Sequence, residues 1–443
     1  MVSLLWVAPA SARAGDQWIF RAPAARPTDH PDPNRNAYTV PEAPRSPACT
    51  RHFCVHWVAE GLDAPSLADG DGDGIPDYVS RVQAVAEKVY AIENQKLGWR
   101  DPRCDGRKGG GNCKTDIYLD EIGGALFGYA APDRGQATKA HRLPRRLHGY
   151  LVLDNDYSPR EFPGTTQEHD LEVTVAHEYD HILQFGYDAY QDAWFAESTA
   201  VWMEDQVYNG INDYLRYVRR WVRRYDTPLT ASSIKEYGSA VWTKWLVHRY
   251  GRSIVRHAWA RAVHTKPGGF SVSAYNSAIE AAGGSDFSRD FARFAADLPE
   301  WHTDAVFPEG NLYPDVSRQG SLSTRGRTVG RSLNHTTFQL LRVHARSGRT
   351  VIAYATAPRG IAAGLALVGR VGSERHGRVV KVLRFRGNGG PMTVRLPRPG
   401  RFARITAVLI NADASASGFS ARRLDWSYLT DSAPFRASAR VVR

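Results

Sequence analysis

Two histidines and a glutamate stand close together in the stretch 173–181, which reads VTVAHEYDH. His177 and His181 are four residues apart, so on a helix they share one face and can reach a single metal ion. Glu178 follows the first histidine directly and lies beside that face, within reach of a water molecule on the metal. The stretch therefore predicts a zinc site in which Glu178 is the general base of a hydrolysis.

The two histidines need a third partner, because catalytic zinc takes three protein ligands and leaves a fourth position for water. Glu197 is the predicted third ligand, since it lies sixteen residues after His181 on the next predicted helix, 193–207. A turn at 186–192 lets this helix pack back against the first, and small residues beside Glu197 favour a close approach. Glu204 and Asp205 on the same helix are the alternative ligands.

Other residues are candidates for supporting roles in the hydrolysis. Tyr237 is predicted to stabilise the oxyanion that forms during hydrolysis, and Tyr187 and His248 are alternatives. Asp170 and Asp180 are candidates to orient a ligand histidine. Asp180 faces away from the ligand stripe, however, and is predicted to be solvated. The alternative to the whole motif is an amphipathic helix with buried, hydrogen-bonded histidines and no metal.

A second metal site is indicated near the N-terminus, where residues 69–77 read DGDGDGIPD. Carboxylates at the first, third, fifth and ninth positions, with a glycine at the sixth, resemble the first part of a calcium-binding loop. Ser80 stands at the twelfth position, where such a loop normally has glutamate. The alternative is an acidic turn that caps the helix predicted at 78–97. The predicted ligands of a structural Ca²⁺ are Asp69, Asp71, Asp73, Ile75 and Asp77.

Composition limits the classes of partner. The 443 residues are 42% apolar and 23% charged, as in globular proteins, with a net charge of +11 that comes mostly from arginine. The arginines are spread along the chain and form no basic stripe or reading motif, so nucleic-acid binding is not expected. The expected partners are a protein or peptide substrate and a cell-surface polymer bound by the C-terminal part. No stretch is apolar enough to predict a membrane span.

Two features predict that the protein is secreted. Residues 1–14 form a short apolar run that ends in Ala-x-Ala, which is typical of the second half of a signal peptide cleaved after Ala14. The chain also has four cysteines in two local pairs, Cys49 with Cys54 and Cys104 with Cys113. Such pairs predict two small disulfide loops outside the cytoplasm, although the other pairings remain open.

The elements along the chain predict an α+β protein, with a zincin-like metallopeptidase domain followed by a C-terminal β-sandwich domain. Helices are predicted at 171–185, 193–207, 211–225, 239–250 and 287–298. Short alternating runs from Thr337 onward predict the sandwich strands. The predicted division is a partial signal peptide at 1–14, a Pro-rich leader or pro-segment at 15–47, the metallopeptidase domain at 48–305, a linker at 306–332 and the β-sandwich at 333–443.

Residues 50–250 resemble the gluzincin (peptidase MA-like) zinc metalloproteases, and more specifically a group of secreted bacterial proteins of that type. The shared elements are the aspartate loop, a Leu-Asp-Asn-Asp-Tyr segment, the zinc motif with its Gln-Phe-x-Tyr-Asp continuation, and a Trp-Phe-x-Glu helix. They stand here at 69–79, 153–157, 177–188 and 194–204. The resemblance implies His177, His181 and Glu197 as zinc ligands and Glu178 as base. It departs at Asp180, where an aromatic or apolar residue is expected.

These observations predict a secreted zinc-dependent metallopeptidase. The alternative is a secreted binding or adhesion protein, with a structural or inactive metal site and a β-sandwich that recognises its ligand. Glu178 favours the first hypothesis, because a purely structural metal site needs no base beside its ligands. A metal-dependent hydrolase of esters or cell-wall amides would use the same residues.

Overall fold

The computed structural model describes residues 25–29, 37–123, 126–133, 145–231, 235–263, 270–303, 307–345, 347–373, 377–415 and 431–442. The chain packs into two compact units. The first comprises Met1–Asp213 and Ala262–His264, and the second comprises Tyr214–Arg261 and Thr265–Arg443. Helices and several sheets occur together, so the protein is of the mixed α and β class that the sequence predicts. The predicted domain boundaries remain predictions.

The first unit contains a five-stranded sheet. Its strands are β1 (Ala48–Cys49), β2 (Phe53–His56), β3 (Thr115–Asp120), β4 (Gly128–Pro132) and β5 (Gly149–Asp154). They lie in the order β1-β2-β3-β5-β4. Strands β2, β3 and β5 run parallel, whereas β1 and β4 are antiparallel to their neighbours. β3 and β5 are buried along their whole length, as expected of parallel strands that are covered on both faces.

Three long helices belong to the first unit. They are α1 (Asp77–Tyr90), which continues as a π-helical turn at Ala91–Lys96, α2 (Gln167–Asp188) and α3 (Ala193–Val207). α3 has the predicted bounds, whereas α2 is longer than predicted at both ends. It begins at Gln167 because the Thr166 side chain caps it, accepting a hydrogen bond from the His169 N–H at 3.2 Å.

Two glycines let α2 lie directly against the edge of the sheet. A Cβ atom added at Gly128 would lie 2.7 Å from Thr174 Cγ2, and one added at Gly149 would lie 2.9 Å from Phe185 Cδ2. Gly128 opens β4 and Gly149 opens β5, while both neighbours belong to α2. Any larger residue would push the helix away, so these glycines fix the position of the helix that carries the zinc motif.

Both predicted disulfides, Cys49–Cys54 and Cys104–Cys113, are present in the first unit. They are compatible with the predicted export of the protein. Across the residues described, no helix combines the length and the apolar character that crossing a membrane requires. The predicted signal peptide at 1–14 lies outside the described residues.

The described part of the predicted leader packs into the first unit. Arg26 is 1% exposed, and its Nη2 lies 2.6 Å from Asp133 Oδ2 and 2.7 Å from Asp105 Oδ2. A third carboxylate, that of Asp116, also accepts from this guanidinium. Buried charges of opposite sign at these distances hold each other in place. The described leader residues are therefore part of this fold.

The helices of the second unit are shorter. They are α4 (Leu215–Trp221), α5 (Lys235–Gly238), α6 (Ala240–Tyr250), α7 (Ser253–Arg261), α8 (Ser271–Ala281) and α9 (Phe287–Asp297). The helix predicted at 211–225 is wrong at its start, because Asn212 has a φ of +55° and breaks helical geometry. α7 and α8 were not predicted.

Nine described strands complete the second unit. They are β6 (Ser321–Leu322), β7 (Val329–Leu333), β8 (Thr337–Val343), β9 (Thr350–Ala357), β10 (Ala363–Val371), β11 (Arg378–Arg386), β12 (Gly390–Pro397), β13 (Arg404–Asn411) and β14 (Ala433–Val442). They form two sheets, in the orders β11-β10-β13-β8-β6 and β12-β9-β14-β7. Leu365, Leu409, Val394 and Phe435 come from both sheets and share one buried core, as in packed sheets with alternating inward residues.

Candidate metal centre

The predicted zinc ligands meet where α2 packs against α3. His177 and His181 lie one turn apart on α2, and Glu197 lies on the first turns of α3. His177 Nε2 is 3.1 Å from Glu197 Oε2 and 3.2 Å from His181 Nε2, and His181 Nε2 is 3.6 Å from Glu197 Oε2. Three side chains from two helices therefore point their donor atoms at one small volume.

The spacing of these three atoms fits a zinc ion. Zinc bonds of about 2.0–2.1 Å in a tetrahedron set neighbouring ligand atoms about 3.3 Å apart. The observed separations of 3.1, 3.2 and 3.6 Å bracket that value. Two imidazoles and one carboxylate are also a known donor set of catalytic zinc sites. The side chains of His177, His181 and Glu197 are 12%, 4% and 10% exposed, so one side of the cluster remains accessible.

Glu178 lies beside the ligands. It is buried, and its carboxylate lies beside the Ala130 backbone N–H of strand β4. Burial raises the pKa of Glu178, the positive charges of His177 and His181 oppose that rise, and the charge of Glu197 adds to it. A carboxylate whose pKa is raised is a better proton acceptor than an ordinary surface glutamate.

Glu204 orients His177 by a hydrogen bond to the ring nitrogen that faces away from the other ligands. His177 Nδ1 lies 2.7 Å from Glu204 Oε1, which leaves Nε2 directed at the other ligands. Glu204 is seven residues after Glu197, two helical turns along α3, so both carboxylates face α2. Glu204 was an alternative zinc ligand from the sequence, and the structure instead brings it to the opposite side of the His177 ring. Its companion Asp205 is not brought into the group of potential ligands.

The second histidine is held through a relay. His181 Nδ1 lies 2.9 Å from Gln184 Oε1, and Gln184 Nε2 donates to Asp180 Oδ2 at 2.6 Å. Gln184 Nε2 also lies 3.1 Å from the Ala196 carbonyl and 3.0 Å from Thr199 Oγ1 on α3. The small side chains of Ala196 and Thr199 let α2 and α3 approach this closely. Small residues beside Glu197 are also the reason that the sequence analysis chose Glu197 as the third ligand.

The prediction that Asp180 is solvated is wrong. Asp180 is 0% exposed, because α2 is covered on nearly all sides and has no free face opposite the ligand stripe. Burial raises the pKa of Asp180 to about 7, although the nearby His181 charge lowers it. Glu93, on the π-helical turn, is also fully buried, and burial together with the Asp180 charge raises its pKa well above the usual range.

The ligands polarise one another strongly. Burial opposes a charge on His177, but its hydrogen bonds to Glu197 and Glu204 outweigh that effect and raise the pKa of the imidazole. Burial likewise opposes a charge on Glu197, yet the adjacent His181 and His177 lower the pKa of this carboxylate to about 2. The donor set thus keeps a charged carboxylate next to two imidazoles, as a cation site requires.

The remaining catalytic candidates lie in different surroundings. Tyr237 belongs to the second unit, on α5, where its ring stacks on Tyr217 at 5.1 Å. His248 also belongs to the second unit, on α6. Tyr187 is buried near the end of α2, where its hydroxyl accepts from the Arg100 N–H at 3.3 Å. Asp170 accepts from the Thr165 hydroxyl at the start of α2.

The aspartate loop brings together part of its predicted ligand set. Asp69, Asp71 and Asp77 place carboxylate oxygens within 4.8 Å of one another, and all three are exposed. Asp73 is not in this group; its Oδ1 instead accepts from the Ile75 N–H at 2.7 Å. Hydrogen bonds within the loop also stabilise its conformation, because the Gly72 and Gly74 N–H groups each donate to the Asp69 carboxylate at 2.9 Å.

The sequence analysis named Glu204 only as an alternative ligand and did not name Gln184, although both position a ligand histidine. Glu204 shares a face with Glu197 through its seven-residue spacing, so a search for a second carboxylate two turns along the helix would have found its role. Gln184 is three residues after His181, which is also helical spacing.

Comparison with known proteins gives one family. The sequence profile described as "Family of unknown function (DUF6055)" matches residues 162–389, slightly more than half of the chain. That span includes α2 and α3 but not the aspartate loop. No curated protein sequence matches the chain.

Two solved structures show faint likenesses to this chain. A "Family 16 Carbohydrate Binding Module-2" chain is 16% identical with a TM-score of 0.17, covering 25% of this chain and 72% of its own. A family GH115 4-O-methyl-α-glucuronidase with specificity for decorated arabinogalactans is 9% identical with a TM-score of 0.15, covering 66% and 46%. TM-scores this low support no inference about fold or function.

Proposed function

Given that this chain belongs to the DUF6055 family, whose function is unknown, we propose that it is a secreted zinc-dependent metallopeptidase of the gluzincin type. The observation that carries this proposal is the convergence of His177, His181 and Glu197 at separations of 3.1 to 3.6 Å, with Glu178 beside them. The two disulfides support an extracellular location.

The surroundings of α2 support the proposal that the first unit is a zincin-like domain. The helix lies against an edge strand, β4, which runs antiparallel to β5. The Ala130 backbone N–H of that strand lies beside Glu178, so β4 borders the proposed site. We propose that an extended peptide pairs with β4, because a strand at the end of a sheet can bind a peptide as a further strand.

The chain's own residues have distinct parts in the proposed hydrolysis. His177, His181 and Glu197 hold the metal, while Glu204 and Gln184 orient the imidazoles. Zinc, when bound, polarises the scissile carbonyl and lowers the pKa of a water molecule. Glu178 accepts the proton of that water and later donates it to the nitrogen of the leaving amine. The role of Tyr237 in stabilising the oxyanion stays a prediction from the sequence.

The aspartate loop is proposed to bind a structural Ca²⁺. Three exposed carboxylates within 4.8 Å of one another support this, because Ca²⁺ prefers hard oxygen ligands. The loop leads directly into α1, which begins at Asp77. A cation here would therefore fix the start of that helix.

The proposal is tested by cleavage of casein and of a peptide library with the zinc-loaded protein and its Glu178→Gln variant. We expect one zinc per chain in both proteins and about a thousandfold lower cleavage in the variant, because general-base catalysis contributes at that scale. Glu172→Gln, the same change elsewhere on α2, is the matched control and should retain full activity. Equal cleavage by Glu178→Gln and wild type, or absence of bound zinc, would contradict the proposal.

A binding or adhesion protein is the second candidate, and one feature of the second unit favours it. A cavity of about 470 Å³ is rich in cations and flanked by aromatic rings. Its lining includes Arg249, Arg289, Arg293, Lys381, Arg384, Trp245 and Phe385, together with one acidic residue, Asp297, which pairs with Lys381. Such a lining suits an anionic surface polymer. Co-sedimentation with an anionic cell-wall polymer that weakens in an Arg384→Glu variant would support this role, which is also compatible with peptidase activity.

A further inference from the structure

Three carboxylates that belong to neither proposed metal site meet at one end of the first sheet. Glu121 directly follows β3, Asp154 ends β5, and Glu161 lies in the segment between β5 and α2. One carboxylate oxygen of each lies within 4.8 Å of one from both others. β3 and β5 are parallel neighbours with Asp120 opposite Asp154, so the fold itself brings their carboxyl ends together.

One oxygen of this cluster lacks a partner although it is buried. Asp154 is 0% exposed, and its Oδ1 accepts from the Asp156 N–H at 3.1 Å and from the Tyr157 N–H at 2.6 Å. Its Oδ2 has no hydrogen-bond partner among the residues that the structure describes. Buried polar atoms are nearly always satisfied, so this oxygen points to a bound species.

The charges of the cluster favour the same kind of partner. Burial, with the charges of Glu121 and Glu161 adding to it, raises the pKa of Asp154 to about 7. Burial and the adjacent Glu161 carboxylate also raise the pKa of Glu121. Either shared protons or a cation can relieve this repulsion. A cation also satisfies the unpaired Oδ2 of Asp154, which makes it the better explanation.

The donors select the kind of cation. All three are carboxylate oxygens, which suit Ca²⁺ rather than zinc. Ca²⁺–oxygen bonds of about 2.4 Å let ligand oxygens lie up to about 4.8 Å apart, so oxygens within 4.8 Å of one another can share one ion. Glu121 and Glu161 are only half-buried, so water can complete the coordination. We propose that Glu121, Asp154 and Glu161 bind a Ca²⁺ ion separate from that of the aspartate loop.

The position of this site connects it to the zinc helix. Tyr157, three residues after Asp154, is 1% exposed, and its hydroxyl lies beside Thr174 of α2. Thr174 lies three residues before His177 on the same helix. A Ca²⁺ ion at Asp154 therefore fastens the segment that packs against the helix with the zinc ligands, and its role is to stabilise that helix.

The test uses the full chain with zinc held constant, in a background in which Asp69→Asn and Asp71→Asn disable the aspartate loop. Ca²⁺ binding is measured by calorimetry, and the unfolding midpoint is compared in calcium and in calcium-depleted buffer. We expect this background to bind one Ca²⁺ and to unfold at a higher temperature in its presence. Adding Glu161→Gln should weaken Ca²⁺ binding about tenfold or more, because site affinity follows the number of charged ligands.

Glu60→Gln, the same change at an exposed glutamate outside the cluster, is the matched control and should leave Ca²⁺ binding unchanged. Glu121→Gln serves as a second, partly exposed variant if Glu161→Gln folds poorly. A background that binds no Ca²⁺, or cluster variants with unchanged affinity, would overturn the proposal and leave shared protons as the explanation. Because the readout is calcium binding rather than cleavage, the result is independent of whether the zinc site is a peptidase.

Discussion

The two metal sites predicted from sequence differ in how the protein holds them. The zinc ligands are almost entirely buried, and each histidine is fixed by another side chain, His177 by Glu204 and His181 by Gln184. The carboxylates of the aspartate loop are exposed, and the loop's own N–H groups already donate to Asp69. One site is built by packing between helices, and the other by a local turn.

This difference determines how much each site depends on its ion. Buried charged ligands depend on their partners, because water cannot compensate a buried charge that loses the group paired with it. Exposed aspartates keep their hydration when no ion is bound, so they lose little. Changes at the zinc centre should therefore have large effects on metal binding, and changes at the loop should have small effects on stability.

The difference between the zinc centre and the aspartate loop is tested most directly at Glu197. Replacing it with glutamine removes the charged ligand and leaves two imidazoles, so zinc affinity should fall on the order of a thousandfold. Competition with a chromogenic chelator measures this. Asp71→Asn, an equivalent change in the loop, should leave zinc affinity unaltered. Loss of zinc in both variants would show that the two sites are not independent.

Glu204 is the residue at which the effect of positioning a zinc ligand can be measured. Glu204→Gln keeps the shape of the side chain but removes the charge that faces His177 Nδ1. Zinc affinity should fall about 10- to 100-fold, as for other residues that orient a metal ligand. Asp205→Asn, the neighbouring acid-to-amide change, should have a much smaller effect. If Asp205→Asn weakened zinc binding as much, Glu204 would have no specific role.

Local spacing made the centre of the site predictable. The motif on α2, the bounds of α3 and the choice of Glu197 depend on helical periodicity and on small residues at a helix contact, all of which the sequence displays. The expectation for Asp180 failed because it assumed that a helix keeps one solvated face, whereas α2 is covered on nearly all sides. Burial on the second face comes from distant elements, which local patterns do not reveal.

The same limit applies to parts of the fold. β4 reads Gly-Tyr-Ala-Ala-Pro and carries a weak strand signal, and it forms a strand because β5 pairs with it. The calcium candidate at Glu121, Asp154 and Glu161 has no motif, since its members come from three elements that meet only after β3 and β5 pair. A motif search finds sites made by one stretch of chain and misses those made by topology.

The smallest expected effect is that of the aspartate loop on stability. Asp71→Asn removes one of three converging carboxylates, so the calcium-dependent rise of the unfolding midpoint should fall by about 2–4 °C, equivalent to roughly 1 kcal/mol in a unit of this size. Differential scanning calorimetry with and without calcium measures it, with Glu60→Gln as the control. Because Asp71 is exposed, the variant should unfold like the wild type once calcium is removed. A large loss of stability in calcium-free buffer would mean that the loop acts through its own hydrogen bonds rather than through an ion.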